Sequence, residues 1–556
     1  MRAGIALLFI NALAFSLAAA NSSVTVVTAA GAIRGSLSAE GDVASFFNVP
    51  YAEAPVDTLR FAAPVPKQSW NATLDCSTTP SFLHDSCPEF HIVDRVFIGR
   101  EDCLTLNIYA PWPVPSNAPV MIFIPGGGFV VGSGYHHGLY DGSQLARQHG
   151  AVVVVMQYRL GILGWGALRS SVQASASSAV GNYGLMDQRL ALWWAHANAA
   201  AFGGSPGNMM VFGQSAGAVS VCMHAANPSS LPPLAGLAIE SGMCDSQAWL
   251  SLPDQTISFT RALLNHTDCG DLDAVGDEGR RVLACIRSLP LATVLNHMLM
   301  YPPPPIDLRS VSPDAASALP PLLPIMGFAP TLDGSASGVT LSPVAAASAG
   351  SAMRVPYIIG TNQDEGSLFV LGLPLLVPGA KLPPSDSDVL RALQRFFPRN
   401  ASAIPAIVAM YANESSNTKA MAAIIRDMMF TCPQRRFSRA LAASGYTVHT
   451  YRFLPTLHTL LGQPFGDYHC SELPFVFLKA DAAGHGASDT AAAAAIERLM
   501  GSAWVGLAAG RPPVSPWLQY DSSSAYASIM IDGSSNTRLV HDLGADVCAL
   551  WDTVPF

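Results

Sequence analysis

Charge is scarce in this chain. Asp, Glu, Lys and Arg make up 12% of its 556 residues, and the 30 basic residues nowhere form a block. A nucleic-acid surface needs clustered positive charge, so that class of function is excluded. Beyond Ala20 no stretch combines eighteen apolar residues with low polarity, which predicts no bilayer-spanning helix. The last residues, ALWDTVPF, lack the long apolar tail of a lipid-anchor signal. The ten cysteines form no CxxC pair and no zinc or iron–sulfur spacing. No internal repeat occurs, which removes solenoid and propeller architectures.

What is present begins with the leader. MRAGIALLFINALAFSLAAA carries one basic residue, an apolar run and then small residues, the layout of a secretory signal peptide over residues 1–20. Half of all residues are apolar, enough for a large core, and the net charge of −9 speaks for solubility. Ten cysteines suit occasional disulfides in an exported protein. Sequons at Asn71, Asn265, Asn400 and Asn413 agree with export; a fifth, Asn21, lies beside the expected cleavage site.

Strand-like and helix-like segments alternate in the N-terminal half. PVMIFIP (119–125) and AVVVVMQY (151–158) are continuous apolar runs, as expected of strands covered on both faces. YGLMDQRLALWWAHANAAAF (183–202) reads as a helix, and NMMVF (208–212) as a short strand followed by a second helix. VPYIIG (355–360) and YTVHTYRF (446–453) bring strands back late in the chain. This returning pattern predicts one α/β sheet with crossovers, collecting strands from the whole chain. Segments 301–314 and 318–330 are too rich in proline for regular elements. Segment 335–353 reads as a small-residue loop or disordered insert, and segment 371–388 is similar.

The strongest local signal is VFGQSAGA (211–218), which contains Gly213-x-Ser215-x-Gly217. A sharp strand-to-helix turn forces the serine outwards, and the helix N-terminus places amide donors beside developing negative charge. A second signal is Pro125-Gly126-Gly127-Gly128-Phe129, directly after a strand. Consecutive glycines let backbone amides face a substrate oxygen. No GK[S/T] follows, so a phosphate cradle is disfavoured. A serine nucleophile needs a histidine base held by a carboxylate. Fourteen histidines are available. Chain order in serine hydrolases of this strand–serine–helix type runs serine, acid, histidine, which points to His469 in GDYHCSELPFVF. Glu365 and Asp364, both just past the strand VPYIIG, compete for the acid.

Taken together, EDCLTLNIY (101–109), PGGGF (125–129), YRLGILGW (158–165), GNYGLMDQRLALWWAHANAAAFGG (181–204), FGQSAG (212–217), GTNQDEGS (360–367) and YHCSELPFVF (468–477) resemble the type-B carboxylesterase family. That family includes cholinesterases and some fungal lipases. The resemblance runs from about Gly31 to Cys548. It implies one α/β-hydrolase domain over 21–556, with a central mixed, mostly parallel sheet and long inserted loops. It assigns Ser215, Glu365 and His469 to a catalytic triad, choosing Glu365 because the acid immediately precedes Gly366. It places oxyanion donors at Gly127, Gly128 and Ala216, and requires neither metal nor organic cofactor.

The resemblance also implies disulfides Cys87–Cys103, with Cys76 as a rival to Cys87, Cys269–Cys285 and Cys432–Cys548. Cys222 is expected to be a buried free thiol. Gln214, Pro125 and Ser205 depart from the family pattern; Gln214 removes a charge near the nucleophile while leaving the chemical roles intact. The interval Cys87–Cys103 contains no tryptophan, where cholinesterases carry one for a quaternary ammonium. The expected activity is cleavage of small-molecule or lipid esters by a secreted carboxylesterase. The alternatives are a lipase for longer acyl chains and a non-catalytic binding protein of the same fold.

Overall fold

The β-branched run Val152–Met156 forms a strand whose five residues are all buried. In the computed structural model, which describes residues 23–554 apart from 92, 93, 95, 176–178, 245–249, 296–327, 398–399, 455–464, 481–489, 514–515 and 534–537, this run lies inside a large sheet. The leader 1–20, Asn21, the tract 301–314 and most of 318–330 fall outside the described residues. In chain order the main strands are β1 (Ser23–Val27), β2 (Ala32–Leu37), β3 (Val43–Pro50), β4 (Thr105–Pro111), β5 (Ala118–Ile124), β6 (Val152–Met156), β7 (Gly204–Gln214), β8 (Gly236–Glu240), β9 (Tyr357–Asn362), β10 (Val448–Phe453), β11 (Ala527–Ile531) and β12 (Arg538–His541). Their spatial order is β1-β2-β3-β4-β6-β5-β7-β8-β9-β10-β11-β12, with Leu74–Asp75 added beside β2. The pairs from β6 through β11 are parallel, and the flanking pairs are antiparallel. This is a mixed, mostly parallel sheet of the α/β-hydrolase type.

Apolar residues run without alternation in the central strands because both faces are covered. Val152, Val154, Met209 and Val211 join one core, while Val153, Val155, Met210 and Phe212 join the other with Trp504. Helix Ala216–Ala226 is buried along its entire length, so it has no polar face to reveal it by periodicity. Arg159, after β6, and Asp187, on helix Tyr183–Asn198, form a buried pair with contacts of 2.8 and 2.7 Å. A third bond, from Arg159 N–H to the same carboxylate, ties the loop to the helix.

Segment 335–353 is more ordered than a loop or disordered insert. It contains helix Pro343–Ser348, with the Ser342 hydroxyl accepting from Ala345 N–H at the N-terminus. Val339, Ala346 and Ala347 are fully buried. The small residues permit close helix packing, which composition alone had read as a lack of structure. In segment 371–388, Ser385 caps helix Asp386–Phe396. Asn71, Asn265 and Asn413 are exposed, and Asn400 is half-buried.

Four disulfides are present: Cys87–Cys103, Cys222–Cys244, Cys269–Cys285 and Cys432–Cys548, with Cα separations of 5.0–5.5 Å. Cys76 is buried and free. The expectation for Cys222 is corrected. Its helix packs beside β8, and the chain leaving β8 returns Cys244 to it; this proximity is tertiary and leaves no local pattern. Thiol titration of the denatured, unreduced protein should therefore find two reactive cysteines, Cys76 and Cys470. Peptide mapping that finds Cys222 or Cys244 alkylated would contradict the fourth bridge.

Candidate active site

The carboxyl ends of parallel strands form the rim on which α/β folds bind ligands. Gly127 follows β5, Ser215 follows β7, Glu365 follows β9, and His469 lies in the connection after β10. Chain order thus disperses these residues while topology brings their strands to one edge.

Ser215 links β7 directly to helix Ala216–Ala226 with φ 58° and ψ −124°. Such a backbone is costly for a non-glycine residue and persists only when its surroundings fix it. Two close approaches do so. A methyl group on Gly213 would lie 2.6 Å from the Gly217 carbonyl carbon, and one on Gly217 would overlap the Ile124 carbonyl of β5. Ser215 N–H also donates to the Glu240 carbonyl at 2.9 Å. Ser215 remains 8% exposed.

The glycine loop after β5 is held at both ends. The Tyr158 hydroxyl donates to the Pro125 carbonyl at 2.8 Å, and Gly132 N–H donates to the buried Glu89 carboxylate. Gly127 and Gly128 take φ of 115° and 62°. A Cβ on Gly126 would come within 2.6 Å of the Gln214 carbonyl, so the loop rests against the serine turn. Ala216 is the first helical residue, whose N–H lacks an intrahelical acceptor.

His469 Nδ1 and Glu365 Oε2 are 2.6 Å apart, with Glu365 fully buried and His469 8% exposed. The imidazole N–H donates to this carboxylate, leaving the lone pair on Nε2. Asn362 N–H donates to the other Glu365 oxygen at 2.8 Å. Asp364 is not brought to the histidine; its carboxylate accepts from Asp467 N–H at 3.1 Å.

Two features escaped the sequence reading. The Gln214 side-chain amide nitrogen lies 3.3 Å from His469 Nε2, so this departure touches the imidazole itself. Gln214 immediately precedes Ser215, a spacing that offered the signal. The rings of Phe430 and Phe369 also flank His469, with centroids at 4.8 and 5.2 Å. Phe369 lies four residues after Glu365, but Phe430 comes from a distant helical segment and had no local signal.

Behind this group lies a second buried acid. Glu472 accepts from the Asn362 side-chain amide, while its Oε1 has no hydrogen-bond partner among the described residues. Burial, followed by the nearby Glu365 charge, pushes its pKa up to about 7. Cys470, beside His469, has its thiol pushed far up by burial and then by Glu472 and Glu365, which suppresses its thiolate.

The Glu472 shift predicts a pH dependence of stability. The folded protein holds this proton more tightly than the unfolded chain, whose ordinary value is 4.5. Stability from this group is therefore lost as pH rises from about 5 to about 8. Relative to Glu472→Gln, the wild type should lose about 1–3 kcal/mol across that window in urea unfolding. A constant difference at all pH values would contradict the assignment.

Comparison with known proteins agrees with this architecture. The carboxylesterase family model matches residues 22–551. Acetylcholinesterase of Electrophorus electricus is 32% identical over 452 residues, covering 77% of this chain and 66% of that protein. Cholinesterase of Mus musculus is 31% identical over 478 residues, covering 81% of this chain and 73% of that protein. Acetylcholinesterase of Danio rerio is 32% identical, covering 76% of this chain and 66% of its own length. The chain thus spans just under two thirds of the eel and zebrafish proteins it matches. With a mixed sheet of this order, a serine at the strand-to-helix turn and a family match over nearly its whole length, the chain belongs to the carboxylesterase family.

Proposed function

We propose that this protein hydrolyses carboxylic esters through an acyl-enzyme on Ser215, with His469 as the base and Glu365 as its orienting acid. The observation that carries this reading is the 2.6 Å contact between His469 Nδ1 and buried Glu365, formed beside the serine turn. The histidine lone pair on Nε2 is held by the Gln214 amide in the free enzyme. Ser215 Oγ replaces that donor when the base acts.

The serine oxygen attacks the ester carbonyl carbon while its proton passes to His469 Nε2. Glu365 and the flanking rings of Phe369 and Phe430 favour the resulting imidazolium. Amides of Gly127, Gly128 and Ala216 stabilise the tetrahedral oxyanion. The bond to the alcohol oxygen then breaks, and the alcohol leaves with the proton from His469. Water repeats the sequence on the acyl-enzyme, releasing the acid and restoring Ser215.

Several features support export: the signal-like leader, exposed sequons, and four disulfides, which persist in oxidising compartments. Among the described residues no helix is long and apolar enough to cross a membrane. The substrates of this reading are small neutral esters. The Cys87–Cys103 loop has no tryptophan; its aromatic residues Phe90 and Phe97 pack on each other at 5.7 Å across a short hairpin.

Ser215→Ala should fold and lower kcat/KM for a simple ester by about four to six orders of magnitude. Glu365→Gln should cost about a thousandfold or more, while Asp364→Asn should stay within about tenfold of wild type. The reverse order for the two acids would move the role to Asp364. A neutral butyrate ester should be preferred over butyrylcholine of similar leaving-group pKa. Loss of an aromatic cation site is worth about 1–2 kcal/mol, or roughly tenfold. A clear preference for butyrylcholine, suppressed by a competing quaternary ammonium, would overturn that choice.

A further inference from the structure

Arg452 sits in the buried strand β10 and is only 3% exposed. A cation taken from water needs a counter-charge close by. Burial, and then the neighbouring Arg426, pushes its pKa down to about 10, which still leaves it charged at neutral pH. Its guanidinium donates to Gln363 Oε1 at 3.4 Å and Thr431 Oγ1 at 3.1 Å, both uncharged acceptors. Its Nε has no acceptor among the described residues.

Asp427, Glu365 and Asp364 act on Arg452 only across longer distances. Each has a nearer partner. Asp427 pairs with Arg426 at 2.8 Å, Glu365 holds His469, and Asp364 accepts from Asp467 N–H.

Beside Arg452, between the sheet and helix Cys432–Ala443, lies a cavity of about 40 Å³. Arg452, Arg435, Gln434, Thr361, Thr450 and Ser528 help to line it, and among the described residues no acidic side chain does. Arg435 is already paired with Asp542 at 2.9 Å, which leaves Arg452 as the lining cation with no direct ion pair among the described residues. The Thr450 hydroxyl donates to the Ala527 carbonyl at 3.4 Å and accepts from Ser528 at 2.7 Å, so this pair spends its protons within the sheet. A cavity of this size takes groups of water-like dimensions. Water satisfies a donor but does not balance a charge.

We propose that this cavity is a binding site for a small monovalent inorganic anion of the halide class, held by Arg452. The proposal does not rest on the assignment of the serine chemistry.

A ligand that binds only the folded state raises stability saturably. The test replaces gluconate with chloride at constant ionic strength and follows Tm of the full protein, alongside Arg452→Met. Wild-type Tm should rise and saturate with chloride, and the variant should lack that component. Crystals of the wild type grown with bromide should show an anomalous peak beside the Arg452 guanidinium. The crystal measurement stands alone if the variant does not fold. Identical chloride responses in wild type and variant, or bromide peaks that all lie outside this cavity, would overturn the proposal.

Discussion

A methyl group on Gly217 would overlap the carbonyl oxygen of Ile124, and one on Gly213 would lie 2.6 Å from Gly217. Three chain segments meet there without room for a side chain. β5 ends at Ile124, β7 ends at Gln214, and helix Ala216–Ala226 begins immediately after Ser215. The close approach keeps Ser215 at φ 58° and orders the glycine loop against the same turn. Side-chain packing on both faces of the parallel strands supplies the stability that holds this costly backbone.

The surroundings of His469 show a second balance. One nitrogen faces Glu365, the other faces the Gln214 amide, and two phenylalanine rings exclude water from the sides. Asn362 connects this arrangement to Glu472: its backbone N–H serves Glu365 and its side chain serves Glu472. Two ionised carboxylates so close in a buried site repel, and the raised pKa of Glu472 expresses that repulsion together with burial. In our proposed mechanism the imidazolium forms beside an environment that already favours one negative charge.

The central strands were legible because burial on both faces writes an unbroken apolar run. The serine turn was legible because its glycines answer a steric demand. Family resemblance favoured Glu365 over its neighbour, and the geometry brings Glu365 to His469 while directing Asp364 to Asp467 N–H. The Cys222–Cys244 bridge was not legible, since its two segments meet only after β8 is laid into the sheet. Phe430 against His469 is the same kind of contact. Helix Pro343–Ser348 did have a signal, a capping serine followed by proline, but the alanines around it suggested a loop. The environment of Arg452 was also hidden, because a lone arginine in a strand gives no indication of what covers it.

The central claim is that the strained serine is the acyl acceptor. It is tested most directly by treating the native protein with a fluorophosphonate and mapping the adduct by peptide mass spectrometry. The account predicts one phosphonyl group per active chain, attached to Ser215, with ester turnover lost in proportion to labelling. Complete loss of turnover with the adduct on another residue, or full labelling of Ser215 without loss of turnover, would contradict it.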